Sequence, residues 1–185
     1  MSSEELVELV HEFISMFDDN VLAKYSLEKI KTMGDNYMLA SGFSSHDKDH
    51  ADNVVEAAME MIRLVHEFNE AHPELKERFP SHCNRIGHVI SVRVGVHTGE
   101  VVAGIVGNRK PVYDVFGESV CMASRMESTG LDSEVQISEA TYNLLSPRLK
   151  EHFVPRKNVL VKGIGIMDTY ITQRIVSFPR IEGLV

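Results

Sequence analysis

Residues Glu28 to Gly42 read EKIKTMGDNYMLASG. The pair Gly34-Asp35 stands between two runs of alternating apolar and polar side chains. Lys29 to Met33 and Asn36 to Ser41 therefore read as the two strands of a hairpin. This puts the Asp35 carboxylate at the hairpin tip, with Lys29 and Lys31 spaced two apart on the strand leading into it.

Amphipathic helices flank the hairpin. Upstream, Ser2-x-x-Glu5 has the form of a capping box, and Leu6, Leu9, Val10, Phe13, Ile14, Phe17 and Val21 recur at helical spacing behind it. Downstream, Val54, Val55, Ala58, Met61, Ile62, Val65 and Phe68 mark a second amphipathic helix from Ala51 to about Phe68, with charge on its opposite face. Asn69 to His88 contains Pro73 and Pro80 among polar residues and reads as a connecting loop with at most a short helical turn. Val89 to Val96 and Val101 to Val106, either side of HTGE, predict a second, well-buried hairpin. A strand from Val112 to Phe116, a short helix near Glu118 to Ser128 stopped by Gly130, a strand from Val135 to Ile137 and a helix capped by Ser138 follow. Val159 to Val161 and Thr169 to Thr172 form a last strand pair around KGIGIMD, and Ile175 to Val185 reads as a tail. This order predicts an α+β fold, a ferredoxin-like sandwich of mostly antiparallel sheet with helices packed on it. Such a unit needs a strand ahead of the first helix, and residues 1 to 5 cannot supply it, so the expected sheet lacks its usual first strand.

The 185 residues suit one domain with a real core. No apolar run approaches the roughly 20 residues needed to cross a bilayer, which predicts a soluble segment with no direct membrane contact; the expected location is cytoplasmic, either free or as the cytosolic domain of a larger membrane or sensor protein. With 27 acidic against 19 basic residues and a net charge of −8, a nucleic-acid backbone is a poor partner and a small substrate a better one. Cys83 and Cys121 lack paired spacing and a signal peptide, so both thiols are expected free in a reducing compartment. HDKDH places His46 and His50 four apart, but its polar surroundings read as solvated loop rather than a metal site. Neither a Gly-x-x-x-x-Gly-Lys-Ser/Thr loop nor a Gly-x-Gly-x-x-Gly turn after a strand occurs.

Taken together, EKIKTMGDNYMLASG, the stretch VRVGVHTGEVVAGIVGNRKPVYDVFGESVCMASRMESTG from Val92 to Gly130, and VKGIGIMDTY from Val161 to Tyr170 resemble the catalytic domain of class III nucleotidyl cyclases, of the adenylyl type. The resemblance covers 1–174, leaving 175–185 as the tail. It implies a lyase that converts ATP to cyclic AMP and pyrophosphate with two Mg2+ or Mn2+ ions. Its sites lie at the interface of a homodimer, or of a heterodimer with another cyclase domain, so each site takes residues from both chains.

Residue by residue, Asp35 matches a metal-binding aspartate. Without the resemblance, Gly-Asp is simply a good turn. Lys31 and Asp114 match the purine readers: a donor for adenine N1 and an acceptor for the N6 amine, the reverse of what guanine offers. Guanylyl cyclases carry glutamate and cysteine there. Arg125 matches the arginine that stabilises the pentavalent phosphorus, while Arg109 and Lys162 match cations for the terminal phosphates, one from each side of the interface. Cys121 stands where the family has an asparagine that orients the ribose, and a thiol is the poorer hydrogen-bonding group, which implies a lower rate. The family's first metal aspartate lies on the strand ahead of helix one, so this chain is expected to be an N-terminally truncated piece, inactive or weakly active alone. The other reading is a non-catalytic module that completes a site with a partner cyclase domain.

Overall fold

The computed structural model describes residues 2–43, 48–84 and 86–173. Its first element is helix α1 (Ser3–Phe17). The Ser2 hydroxyl accepts the Glu5 N–H at 3.1 Å and the Glu5 carboxylate takes the Ser2 N–H at 2.6 Å, the reciprocal bonding of a capping box. The α geometry stops short of Val21. At Asp18 the chain passes into a five-residue π turn, Asp18–Leu22, which delivers Val21 to complete burial. Strands β1 (Glu28–Met33) and β2 (Asn36–Ala40) then form the expected antiparallel hairpin. Gly34, at φ +61°, makes the tight turn that brings Met33 opposite Asn36.

Helix α2 (His50–Ala71) separates two apolar clusters. On one side Val55, Ala58, Met59 and Ile62 pack against sheet residues Val96, Val135 and Ile137. On the other, Ala57, Met61, Leu64 and Val65 pack against Phe17, Val21, Tyr25 and Leu27. Its apolar surface is thus wider than the single face read from the sequence. Fully burying a side chain of this class contributes roughly 1.5–3 kcal/mol, so α2 is the main tie between the α1 hairpin unit and the sheet.

After α2 come a short helix α3 (Pro73–Arg78) and a 3-10 turn, Pro80–His82, so the predicted loop holds more helix than expected. The remaining elements are β3 (Val94–Val96), β4 (Val102–Val106), β5 (Val112–Phe116), α4 (Glu118–Ser128), β6 (Val135–Ser138), α5 (Glu139–Leu144), α6 (Pro147–Lys150), β7 (Phe153–Val161) and β8 (Gly165–Thr172). Four strands make a sheet in the order β3-β6-β8-β7, parallel between β3 and β6 and antiparallel elsewhere. The pairs β1-β2 and β4-β5 are separate two-stranded ladders. The result is the α+β architecture, mostly antiparallel with helices packed on it.

The second hairpin is not the predicted one. Val94–Val96 pairs in parallel with β6, whereas Val102–Val106 pairs with Val112–Phe116 across the GNRKP turn. Nor is β4 well buried: Val102, Ile105 and Val106 are mostly exposed. A Val/Ile run signals apolar surroundings without naming its partner, and here one run enters the sheet while the other shows its side chains to solvent. The last strand pair is also longer than predicted. Residues Phe153–Arg156 pair with β8 ahead of a bulge, where Asn158 adopts φ +57°. His46 and the tail 175–185 lie outside the described residues.

Close packing of α4 on β3 depends on Gly95. A Cβ there would lie 2.0 Å from the Glu127 nitrogen and 2.6 Å from the Ala123 carbonyl oxygen, both backbone atoms that no rotamer change can move aside. Gly95→Ala is expected to push α4 off the sheet and destabilise the domain by about 1–3 kcal/mol, read as a lower urea midpoint. An unchanged midpoint would show that the helix seats with room to spare.

Candidate functional site

The described structure brings two of the seven sequence-predicted residues into direct contact. Lys31 on β1 and Asp114 on β5 lie 83 positions apart in the chain, yet the Lys31 ammonium donates to Asp114 Oδ2 at 2.5 Å. Strand geometry holds both ends. Lys31 is paired with Met38 in the first hairpin, and Asp114 is paired with Gly104 in the second. Asp114 Oδ1 also accepts the Val115 N–H at 2.8 Å, which orients the carboxylate. A longer bond from the Tyr113 hydroxyl to Glu28 Oε2, at 3.4 Å, joins the same two strands. Both members of the ion pair remain partly exposed, at 28% and 19% of their side-chain surface, so a ligand can reach them.

The Lys31 ammonium, and after it the Val115 N–H, holds the Asp114 carboxyl below its ordinary value. A carboxyl lowered in the folded state favours folding above the ordinary carboxylate range, and this contribution disappears as the pH falls through the lower folded value.

Arg125 and Lys162 flank a common contact. Arg125 precedes Met126 on α4, Lys162 follows Val161 at the end of β7, and Met126 and Val161 are both buried in one small apolar cluster with Val159. Cys121 is exposed one helical turn before Arg125. Three donors converge on the Arg125 carbonyl: the Thr129 N–H and hydroxyl, at 3.1 and 2.8 Å, and the Ser128 hydroxyl at 3.3 Å. Arg109 is exposed in the β4–β5 turn and Asp35 at the β1–β2 turn. Among the described residues no ion pair engages Asp35, Arg109, Arg125 or Lys162, so these charges are available to a ligand.

No group of three or more His, Cys, Asp or Glu is arranged to hold a metal ion among the described residues. The Asp35 carboxylate has the chemistry of a Mg2+ or Mn2+ ligand, a hard oxygen donor at a tight turn. Mg2+ commonly binds through one or two carboxylates together with substrate phosphates, so Asp35 fits as one member of such a set. Both cysteines are free thiols.

Sequence reading missed a second polar cluster beside the site. Lys29 donates both bonds of a bidentate pair to Asp18, at 2.8 and 2.6 Å, and the Tyr37 hydroxyl donates to the same carboxylate. Burial works to raise the Asp18 carboxyl, but the Lys29 and Tyr37 bonds outweigh it and leave it lowered. The spacing of 18, 29 and 37 has no period that marks a cluster.

A family model described as the adenylate and guanylate cyclase catalytic domain matches residues 1–174. The chain belongs to that family. Adenylate cyclase type 9 of Gallus gallus is 35% identical over 91% of this chain and 12% of its own length. An adenylate cyclase of Mycobacterium bovis is 35% identical over 95% of this chain and 36% of its own length. The chain therefore spans from about an eighth to about a third of these relatives. Among solved structures, the guanylate cyclase domain of RhGC from Catenaria anguillulae, in complex with GTP, superposes with a TM-score of 0.72 at 28% identity, covering 94% of this chain and 86% of that one. The cyclase domain therefore has relatives named for each of the two nucleotides. No helix among the described residues is long and apolar enough to cross a membrane.

Replacing Lys31 with Met should return the Asp114 carboxyl toward its ordinary value in a 13C NMR titration. A titration that stays as low as in the parent chain would mean that the ion pair is absent in solution.

Proposed function

We propose that this chain is an adenylyl cyclase catalytic domain that binds ATP and converts it to 3′,5′-cyclic AMP and pyrophosphate at a site shared between two cyclase domains. The observation that carries this reading is the Lys31–Asp114 contact, a fixed donor beside a fixed acceptor. Adenine offers an acceptor at N1 and a donor at N6, so the base can replace the ion pair by bonding to both partners. Guanine presents a donor at N1 and an acceptor at O6 and would leave both side chains mispaired, a mismatch worth at least about tenfold in preference.

In the reaction the ribose 3′-oxygen loses its proton and bonds to the α-phosphorus, while the bond from that phosphorus to the bridging oxygen breaks and pyrophosphate leaves. Two divalent cations, when bound, lower the pKa of the 3′-hydroxyl and neutralise charge on the triphosphate. Asp35 would hold cation density at the hairpin tip, where the turn limits its freedom. Arg125 presents a planar fork of donors to the oxygens of the pentavalent phosphorus. Lys162 and Arg109, on different hairpins, hold the terminal phosphates and assist their departure. Cys121 faces the ribose with a thiol, a weaker orienting group than an amide.

The exposed second hairpin supports a shared site: Val102, Val106, Val112 and Phe116 lie on one face of its ladder, an apolar face suited to a second domain. The partner is either a copy of this chain or another cyclase domain. In the second case the chain would contribute Lys31, Asp114, Arg125 and Lys162 to a site whose metal carboxylates come from the partner.

The test mixes this chain with a family domain that carries both metal-binding aspartates but has its own transition-state arginine replaced. Cyclic AMP is expected to form in the mixture with Mg2+ or Mn2+, and Arg125→Ala in this chain should lower that rate by about 10²-fold or more. A mixture rate indifferent to Arg125→Ala would refute the shared site.

A further inference from the structure

Two backbone irregularities face one another next to the proposed base-reading lysine. The first is the π turn Asp18–Leu22, a rare insertion in a helix that re-aims the side chain at its start. The second is the bulge in β1, where the pairing register with β2 slips between Lys29 and Lys31. A bulge bends its strand and redirects the side chains around it. The bidentate pair from Lys29 to Asp18, the first residue of the π turn, links the two. Tyr37, on the partner strand, closes the cluster from a third direction: its hydroxyl donates to Asp18, and the Lys29 ammonium lies 4.9 Å from the centre of its ring. One carboxylate thus holds both strands of the hairpin, and Ile30, buried between the two lysines, prevents the strand from rotating freely about its axis.

We infer that Asp18, Lys29 and Tyr37 form a clamp that sets the position of Lys31, so that residues which never touch the nucleotide govern how its base is read. Lys29 and Lys31 are tied to different elements, one to the end of the α1 segment and the other to β5. With its Asp18 anchor gone, the bulge would be free to shift along β1, and the Lys31 ammonium would no longer be held within 2.5 Å of Asp114. These are positioning residues. Their link to nucleotide choice rests on the reading of Lys31 and Asp114 as the purine readers, whereas the clamp itself is a property of the folded chain.

Asp114 reports the position of Lys31 without any nucleotide present. In the full chain, Asp18→Asn is expected to raise the Asp114 carboxyl toward its ordinary value by 13C NMR, although position 18 lies on a different element from position 114. Tyr37→Phe, a milder change that removes one bond, should shift it in the same direction by less, and it serves if Asp18→Asn fails to fold cooperatively. Lys29→Arg, which can keep a bidentate pair, should hold the parent titration. If Asp114 titrates as in the parent in every folded variant, the clamp is refuted. The same variants are then compared for ATP and GTP binding by competition. A displaced Asp114 titration with an unchanged nucleotide preference would leave the clamp standing and overturn the base-reading role of Lys31 instead.

Discussion

Two hairpins that share no backbone ladder among the described residues meet through the ion pair of Lys31 and Asp114. As a stabilising interaction such a pair is modest, since both groups are partly open to water. Its value lies in geometry. Each charge is mounted on a strand whose register is set by many other contacts, so the donor and the acceptor are held side by side before any ligand arrives. A flexible lysine on a loop would have to be ordered at the moment of binding, at a cost in affinity and in discrimination.

That geometry depends on the scaffold behind it. Helix α2 carries apolar side chains into two clusters, one against the four-stranded sheet and one against the end of α1, the π turn and the hairpin. Removing this helix would disconnect the unit that carries Lys31 and Asp35 from the sheet on which α4 lies. Gly95 lets α4 lie close to β3, and the donors on the Arg125 carbonyl close the end of that helix. The proposed base readers and the proposed transition-state arginine are therefore supported by different parts of the core, so one can be perturbed without the other.

The local parts of this structure were legible in the sequence. The Gly-Asp turn, the capping box at Ser2 and the cap at Ser138 are each written in a few neighbouring residues whose chemistry admits one main reading. Pairing at long range was not. The run at Val94–Val96 could join a hairpin or a parallel ladder with equal apolar benefit, and only the fold selects β6. The first half of β7 was hidden by Pro155, Arg156, Lys157 and Asn158, which look like loop; Arg156 finds its partners in the Thr129 carbonyl and the Gln136 side chain, far away in sequence. For the candidate site, periodicity marked none of the residues. Lys31 and Asp114 were singled out by resemblance to a family, and their contact is a property of the folded chain. The Asp18 cluster had no mark at all, because neither a π turn nor a β-bulge has a reliable signature in residue types.

In the proposed site a paired ammonium and carboxylate select adenine. The most direct measurement compares ATP and GTP affinity for the parent chain and for a double variant, Lys31→Glu with Asp114→Cys, which inverts the donor and acceptor pattern. The parent is expected to prefer ATP by at least about tenfold and the double variant to reverse the order. Retained ATP preference in the double variant, or equal affinity for both nucleotides in the parent, would contradict it.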